Sequence, residues 1–391
     1  MSPELNGLSL IALIGAVHGL VLSLILLSLN QNRLANRLLS LFVLCFSLMM
    51  IENVVFETRF FLVLPHVSMT FGLLIFSLPP LFYLYVKSLT IPHFSLGRAD
   101  ALHFIPLVVF FLLHLPFFML SPEEKIAEML SQYEISSIRF YQTFLDPTFY
   151  QVSIYFLLSF RLIERHSVLV KDHYSSEGKR NLKWLRYFFF VCFGIWATSL
   201  LSQLFGLSLR FPIENLFFSA AVYALGYFSM RQPEVFTALR LPQAEPPIGA
   251  SATPSPETEL KPKKYEKSTL TEDAAAALQH ALVSTMTEKK PYLNPELTLQ
   301  DLSELLGVST HHLSQVLNER LRQTFFDFVN SYRVESVKEK LLSPKHRHLT
   351  VLAIAFDSGF NSKTAFNSAF KKHTGATPSD FRKNHRQSDL I

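Results

Sequence analysis

The hydrophobic positions of this chain follow two regimes. Up to about residue 230 the apolar residues come in long, nearly unbroken runs; beyond it they recur with the spacing of a single buried helix face. A helix that crosses a bilayer needs about 20 largely apolar residues. Residues 5–29 carry no charge and are long enough. The runs 38–56, 61–86, 101–120, 147–163, 184–205 and 212–230 bring the predicted spans to seven. The first run lacks a basic start and a small-residue cleavage site, so it reads as a retained span and not as a signal peptide. Pro79-Pro80, Pro106 and Pro116 predict local kinks in the third and fourth spans, which neighbouring helices can tolerate. The expected fold is all-α: a polytopic transmembrane bundle over 1–230, a linker over 231–270, and a cytoplasmic all-α domain over 271–391.

The linker is set by composition. Pro242, Pro246, Pro247, Pro254, Pro256 and Pro262 stand among Ala, Ser, Thr and Glu. Such a segment cannot bury a core and reads as disordered or semi-extended. About 25 residues of this kind span roughly 30 Å as a coil, so a tethered domain without rigid docking is expected.

Beyond the linker, apolar positions take the helical period and the caps become legible. Residues 271–288 predict an added helix. Thr298 opens a short helix that Gly307 closes, and Ser309 caps a second running from Thr310 to Arg320. Residues 326–342 predict one long amphipathic helix with Phe328, Val329, Tyr332, Val337 and Leu341 on its apolar side. Thr350 then caps a helix ending at the turn around Gly359, and Ser362 caps the next, closed by Gly375 and restarted past Pro378. Ile354, Phe356, Phe360, Phe366 and Phe370 are expected in the core. The pattern is two helix-turn-helix units, about 298–320 and 350–373, joined by a helix.

The segment G-F-N-S-K-T-A-F-N-S-A-F-K-K-H-T-G-A-T-P-S-D-F-R, from Gly359 to Arg382, resembles the C-terminal signature of the AraC/XylS family of bacterial transcription regulators. The resemblance covers roughly residues 271–386. It implies two recognition helices that enter successive major-groove segments on one face of a duplex. By position, the base-facing residues would be His311, Ser314 and Gln315 in the first, and Lys363, Thr364, Asn367 and Ser368 in the second. Gln or Asn can pair with adenine through two hydrogen bonds, and Lys can reach guanine. Lys371, Lys372, Arg320 and Arg322 are better placed for phosphates, which position without specifying. Many family members carry Arg where this chain has Gln315 and Ser368, which weakens the expectation of guanine readout there. For each of these residues the plain alternative is a solvated helix face. The adjacent pair His311-His312 points apart on a helix and is not expected to hold a metal.

Charge bears on orientation. The formal net charge is +5, which basic membrane loops would account for as well as DNA binding would. With the N-terminus outside, the inner loops and span ends hold Arg33, Arg37, Lys87, Arg98, Arg161, Arg165, Lys171, Lys179, Arg180 and Lys183; the outer ones hold Arg59, Lys125, Arg139 and Arg210. That ten-to-four bias favours N-out. Seven spans then put the tail in the cytoplasm, where a DNA-binding domain must be. The expected location is a bacterial inner membrane.

Polar residues fall in the outer half of the predicted bundle: Glu52, Asn53, His66, His114, Gln151, Gln203, Glu214 and Asn215, with His18 nearer the middle. Ionisable groups at membrane depth are costly and often functional. One reading is a signal-receiving pocket built from Glu52, Asn53, His66, His114 and Glu214. The plain reading is polar side chains reaching the interface from helix ends. The acidic loop 121–146 reads either as a lid or as a solvated hairpin.

Cys45 and Cys192 lie inside apolar runs with no metal or disulfide spacing. No H-E-x-x-H, G-x-S-x-G or Gly-rich phosphate loop occurs, so an enzyme is not expected. The reading that follows is a membrane-bound one-component transcription regulator. The alternative is a transporter or membrane scaffold whose tail is regulatory or binds protein. Implied partners are double-stranded promoter DNA, the lipid bilayer and an unknown small-molecule or envelope signal, with RNA polymerase and a second copy of the chain besides; no cofactor is implied.

Overall fold

The computed structural model describes residues 7–67, 70–134, 147–176, 182–204, 212–231 and 270–388. Most of the predicted linker lies outside the described residues. The chain divides into two compact units, one made of 1–166 and 182–239, the other of 167–181 and 240–391. Among the described residues the regular structure is helical, with one isolated β-bridge.

In the first unit, α1 (Gly7–Ser28) packs against α2 (Arg33–Glu57), and α2 against α3 (Leu78–Thr90). The four-residue α4 (Arg98–Ala101) leads into α5 (Ile105–Phe118), and α6 (Pro122–Glu134) follows. Three longer helices complete the chain path: α7 (Pro147–His173), α8 (Lys183–Leu204) and α9 (Pro212–Arg231). Leu26, Leu39, Val43, Leu84, Tyr85, Leu185 and Leu225 form its main core. Helices α1 and α2 approach closely at Gly19, where a Cβ would lie 2.1 Å from Ser47 Oγ and would force that hydroxyl to turn away. Small residues bring membrane helices together in this way. The outward faces are apolar: Leu10, Ile14, Val17 and Leu24 on α1 and Val108, Leu112 and Leu113 on α5 are exposed. Among the described residues, four segments are long and apolar enough to cross a membrane: Ser9–Ser28, Arg33–Glu57, Gly72–Thr90 and Arg98–Phe118.

The third predicted span, 61–86, is not one helix. Its described residues hold short 3₁₀ turns at Phe60–Leu62 and Gly72–Phe76, and the α-helix begins only at Leu78. Two local causes are visible. Arg59 adopts a left-handed backbone that ends α2, and the Glu52 carboxylate accepts from the Phe71 backbone N–H at 2.5 Å. Pro79-Pro80 and Pro106 do not kink their helices as expected. They sit in the first turns of α3 and α5, where a proline removes no helical hydrogen bond. Pro116 alone lies inside its helix.

The second unit comprises α10 (Glu272–Glu288), α11 (Leu299–Leu306), α12 (Thr310–Gln315), α13 (Phe325–Leu342), α14 (Val351–Asp357), α15 (Lys363–Thr374) and α16 (Pro378–Ser388), together with the end of α7. Each expected cap is formed. Thr298 and Asp301 make a capping box, and Ser309, Thr350 and Ser362 accept from His312, Ala353 and Ala365 N–H. Gly307 and Gly375 end their helices in left-handed conformations.

Helix α13 serves two cores. Its first half gives Phe325, Phe328 and Val329 to a cluster with Leu282, Leu299, Leu302, Leu313 and Leu317; its second half gives Val334, Val337 and Leu341 to a cluster with Ile354, Phe360, Phe366 and Phe370. Phe356 is a correction. It is 48% exposed, since a helix as short as α14 turns only Ile354 and Ala355 fully inward.

Candidate nucleic-acid interface

Two pairs of short helices hang on α13, and each pair presents the second helix outward. In α12, Leu313 is buried while His311 is exposed and Ser314 and Gln315 are half-buried. Gln315 Nε2 donates to Glu319 Oε2 at 3.0 Å, and Ser314 Oγ accepts from Asn318 at 3.2 Å. The helix continues through a π turn at Val316–Arg320. In α15, Phe366, Ala369 and Phe370 are buried, while Lys363, Thr364, Asn367, Ser368, Lys371 and Lys372 are all exposed. The predicted base-facing residues of each helix therefore share the side away from the core. In α12 two of them already hold partners on their own helix.

The basic residues assigned to phosphates are placed differently from one another. Lys372 Nζ lies 2.6 Å from Asp327 Oδ1 at the start of α13. Arg320 pairs with Glu272 at the start of α10 through both its carboxylate and its backbone carbonyl. Arg322 stands in a left-handed turn. A phosphate must therefore displace an acid before it can use Lys372 or Arg320.

One buried charged side chain of this unit was not expected from the sequence. Arg333, on α13, is 1% exposed. Its Nε donates to Tyr292 O at 2.8 Å. One terminal nitrogen donates to Ser175 O at 2.9 Å and to Asn330 Oδ1 at 3.3 Å; the other donates to Asn294 O at 2.8 Å and Ser175 Oγ at 3.0 Å. Burial lowers its pKa to about 10, against the raising effect of the Glu296 charge, so it stays charged at neutral pH. Its place in register with Val329 and Val337 is the one sequence sign of burial; the residue type itself gives none.

In the first unit the following contacts of the proposed sensing residues run to different groups. Glu52, 9% exposed, holds Phe71 N–H. His66 Nδ1 lies 3.0 Å from Nζ of the buried Lys125, which also donates to Phe118 O. His114 Nδ1 returns to Phe110 O on its own helix. Asn53 is half-buried beside Glu52 on α2. Glu214 and Asn215 lie on α9 and Gln203 on α8, but their side chains lie outside the described residues. No group of three or more His, Cys, Asp or Glu side chains is spaced to hold a metal among the described residues.

Residues 302–384 match the helix-turn-helix domain family. An uncharacterised helix-turn-helix-type transcriptional regulator of Staphylococcus aureus is 35% identical over 91 residues, which is 23% of this chain and 12% of the relative. The protein named a probable transcription factor PqrA, from Proteus vulgaris, is 27% identical over 96 residues, 25% of this chain and 76% of its own length. The chain thus spans about an eighth of the length of the first of these relatives. Among solved structures, the C-terminal domain of AraT, a response regulator from Geobacillus stearothermophilus, is 29% identical, covering 30% of this chain and 88% of that one with a TM-score of 0.24. A protein of unknown function from Listeria innocua is 31% identical over 27% of this chain and 96% of its own, also at 0.24. The tail is a helix-turn-helix domain of the AraC type, and the named relatives that share it are transcription regulators.

Proposed function

We propose that the chain is a membrane-bound, one-component transcription regulator: the first unit lies in the bilayer and receives a signal, and the tail binds promoter DNA sequence-specifically. The observation that supports this reading is the joining, in one chain, of two helix-turn-helix pairs whose second helices face outward with, among the described residues, four segments apolar enough to cross a membrane. On this reading α12 and α15 enter successive major-groove segments. Asn367, Lys363 and Gln315 read base edges, and Lys371 and Lys372 hold phosphates. Seven spans with the N-terminus outside place the tail in the cytoplasm, with α7, α8 and α9 as the last three. The acidic partners of Arg320 and Lys372 support specific over indiscriminate binding, because they reduce the bare cationic surface that any duplex would attract.

The test is DNA binding by the tail, residues 271–391. Affinity should fall linearly in log–log form with salt, as counterion release requires. A folded tail with no affinity for any duplex at low salt removes the proposal and leaves the scaffold alternative.

A further inference from the structure

The second unit contains a piece of chain that neither helix-turn-helix pair needs. Helix α7 runs to His173, and the next three residues, Tyr174, Ser175 and Ser176, are all buried against the tail domain. Tyr174 forms an antiparallel bridge with Thr298, the residue that caps α11. Ser175 donates to Leu297 O twice, from its backbone N at 3.2 Å and its Oγ at 2.6 Å. Its carbonyl takes Arg333 at 2.9 Å and Asn330 at 3.2 Å. Ser176 Oγ donates to Asn361 Oδ1 at 2.9 Å. This strap therefore touches the first helix-turn-helix pair, the linker helix and the entrance to the second pair, some 120 to 185 residues away in sequence.

Resting on the regulator reading above, we propose that residues 174–176 are an intramolecular strap that restrains the two recognition helices, and that its release raises DNA affinity. Two features set the direction. Asn361 directly precedes Ser362, the cap of α15, and a helix start of this kind offers its N–H groups to phosphate. In the docked state Asn361 is engaged on both sides of its amide, by Ser176 and by Glu296 Oε1 at 3.1 Å. The strap and the Glu296 charge thus occupy the ground a phosphate would take. The strap also ties Leu297 to Asn361, so the two pairs cannot reorient about α13 to follow a duplex while it is in place.

The contact is built to be reversible. Beside the buried Tyr174 ring, it consists of hydrogen bonds from small polar side chains and backbone, which water can replace. Without the strap Arg333 keeps Tyr292 O, Asn294 O and Asn330 Oδ1. The strap continues α7 directly, so a shift or rotation of that helix along its axis would act on it without passing through the Pro-rich linker.

The experiment uses the full chain in nanodiscs with Cys45 and Cys192 replaced by Ala. Bridged residues of antiparallel strands lie within disulfide range, so Tyr174→Cys with Thr298→Cys should close a disulfide under mild oxidation. The probe is a labelled pool of random-sequence 40-base-pair duplexes. The oxidised protein is expected to bind the pool at least tenfold more weakly than the same protein after reduction, which controls for the lost Thr298 cap. Ser175→Pro, which removes the N–H and Oγ donors outside any helix, should bind at least threefold more tightly than the parent. Failure of the disulfide to form, or equal or tighter binding by the oxidised form, overturns the strap. If reduced, parent and Ser175→Pro chains all fail to bind DNA while the disulfide forms, the regulator reading falls and the restraint with it.

Discussion

Two neighbouring residues show how tightly the second helix-turn-helix pair is specified. Gly359 has φ 92°, and a Cβ there would meet Tyr292 O at 2.2 Å, Arg333 Nε at 3.0 Å and Leu293 Cα at 3.1 Å. The turn between α14 and α15 thus lies directly on the 291–293 turn and on the buried guanidinium. Gly359→Ala should cost at least about 1–3 kcal/mol from the backbone conformation alone, with the backbone contact adding to it. A melting temperature within a degree of the parent's would refute that account. Beside it, Asp357 accepts from Lys340 at 2.5 Å, and that hydrogen bond, with the lysine's charge, holds its carboxyl below the usual range. A lowered folded value means the stabilisation is complete above the ordinary carboxylate pKa and fades as pH falls through the lowered one. Asp357 is 63% exposed, so the effect is small, under about 1 kcal/mol. Unfolding scans of Asp357→Asn should match the parent below that range and fall slightly short of it at neutral pH; an equal deficit at every pH would argue against the ion pair. Gly359 and the caps were legible from residue type, because few residues serve a left-handed turn or an N-cap. Arg333 was not, because residue type alone does not tell a solvated guanidinium from one enclosed by carbonyl groups of distant segments.

At the scale of elements, helical period and caps located every helix of the tail to within a residue or two, down to the start of α13, where Thr324 supplies a cap that the pattern reading passed over. The same approach failed for the third membrane run. There a long, mostly apolar stretch hid the break ahead of Leu78, since hydropathy does not register Arg59 in a left-handed turn or a carboxylate taking a backbone N–H. Exposure separates the two recognition helices in a way that sequence did not. Asn367 is fully outward, whereas Gln315 holds Glu319 and must release it to reach a base. Asn367→Ala should lose roughly 1–3 kcal/mol at particular base pairs, and Gln315→Ala should lose less. Lys372→Ala should weaken binding to all duplexes alike and reduce the salt slope by about one. Asp327→Asn, which removes the competing acid, should do the reverse. Binding profiles across a set of single-base variants of one site decide this. Sequence-blind losses for Asn367→Ala would withdraw it from base readout.

At the scale of the whole molecule, the distribution of apolar runs was enough to separate two regimes, but not to foresee that the end of α7 belongs with the tail. Helix α7 has 27 residues and is about 40 Å long, more than the roughly 30 Å hydrocarbon core requires. Its charged residues begin at Arg161 and include Glu164, which meets Arg186 of α8 at 3.1 Å. On the proposed reading, a helix that leaves the bilayer and continues into the second unit is a direct mechanical route for a signal. The proposed input lies within the first unit, where Glu52 holds the Phe71 backbone N–H and Lys125 lies beside His66. A ligand can shift a two-state bundle only through different affinities for its two states, so the polar groups that hold this region are the ones to test. Glu52→Gln weakens the carboxylate's hold on Phe71 while keeping its size. It should change output from a promoter bound by the protein at least threefold in cells, in either direction, at unchanged protein level and with unchanged binding by the tail in vitro. Glu214→Gln, on the helix that leads into the linker, should do the same. If both variants keep parental output, with and without the inducing condition, the polar groups serve only to hold the fold, and the acidic loop 121–146 becomes the place to look for the signal.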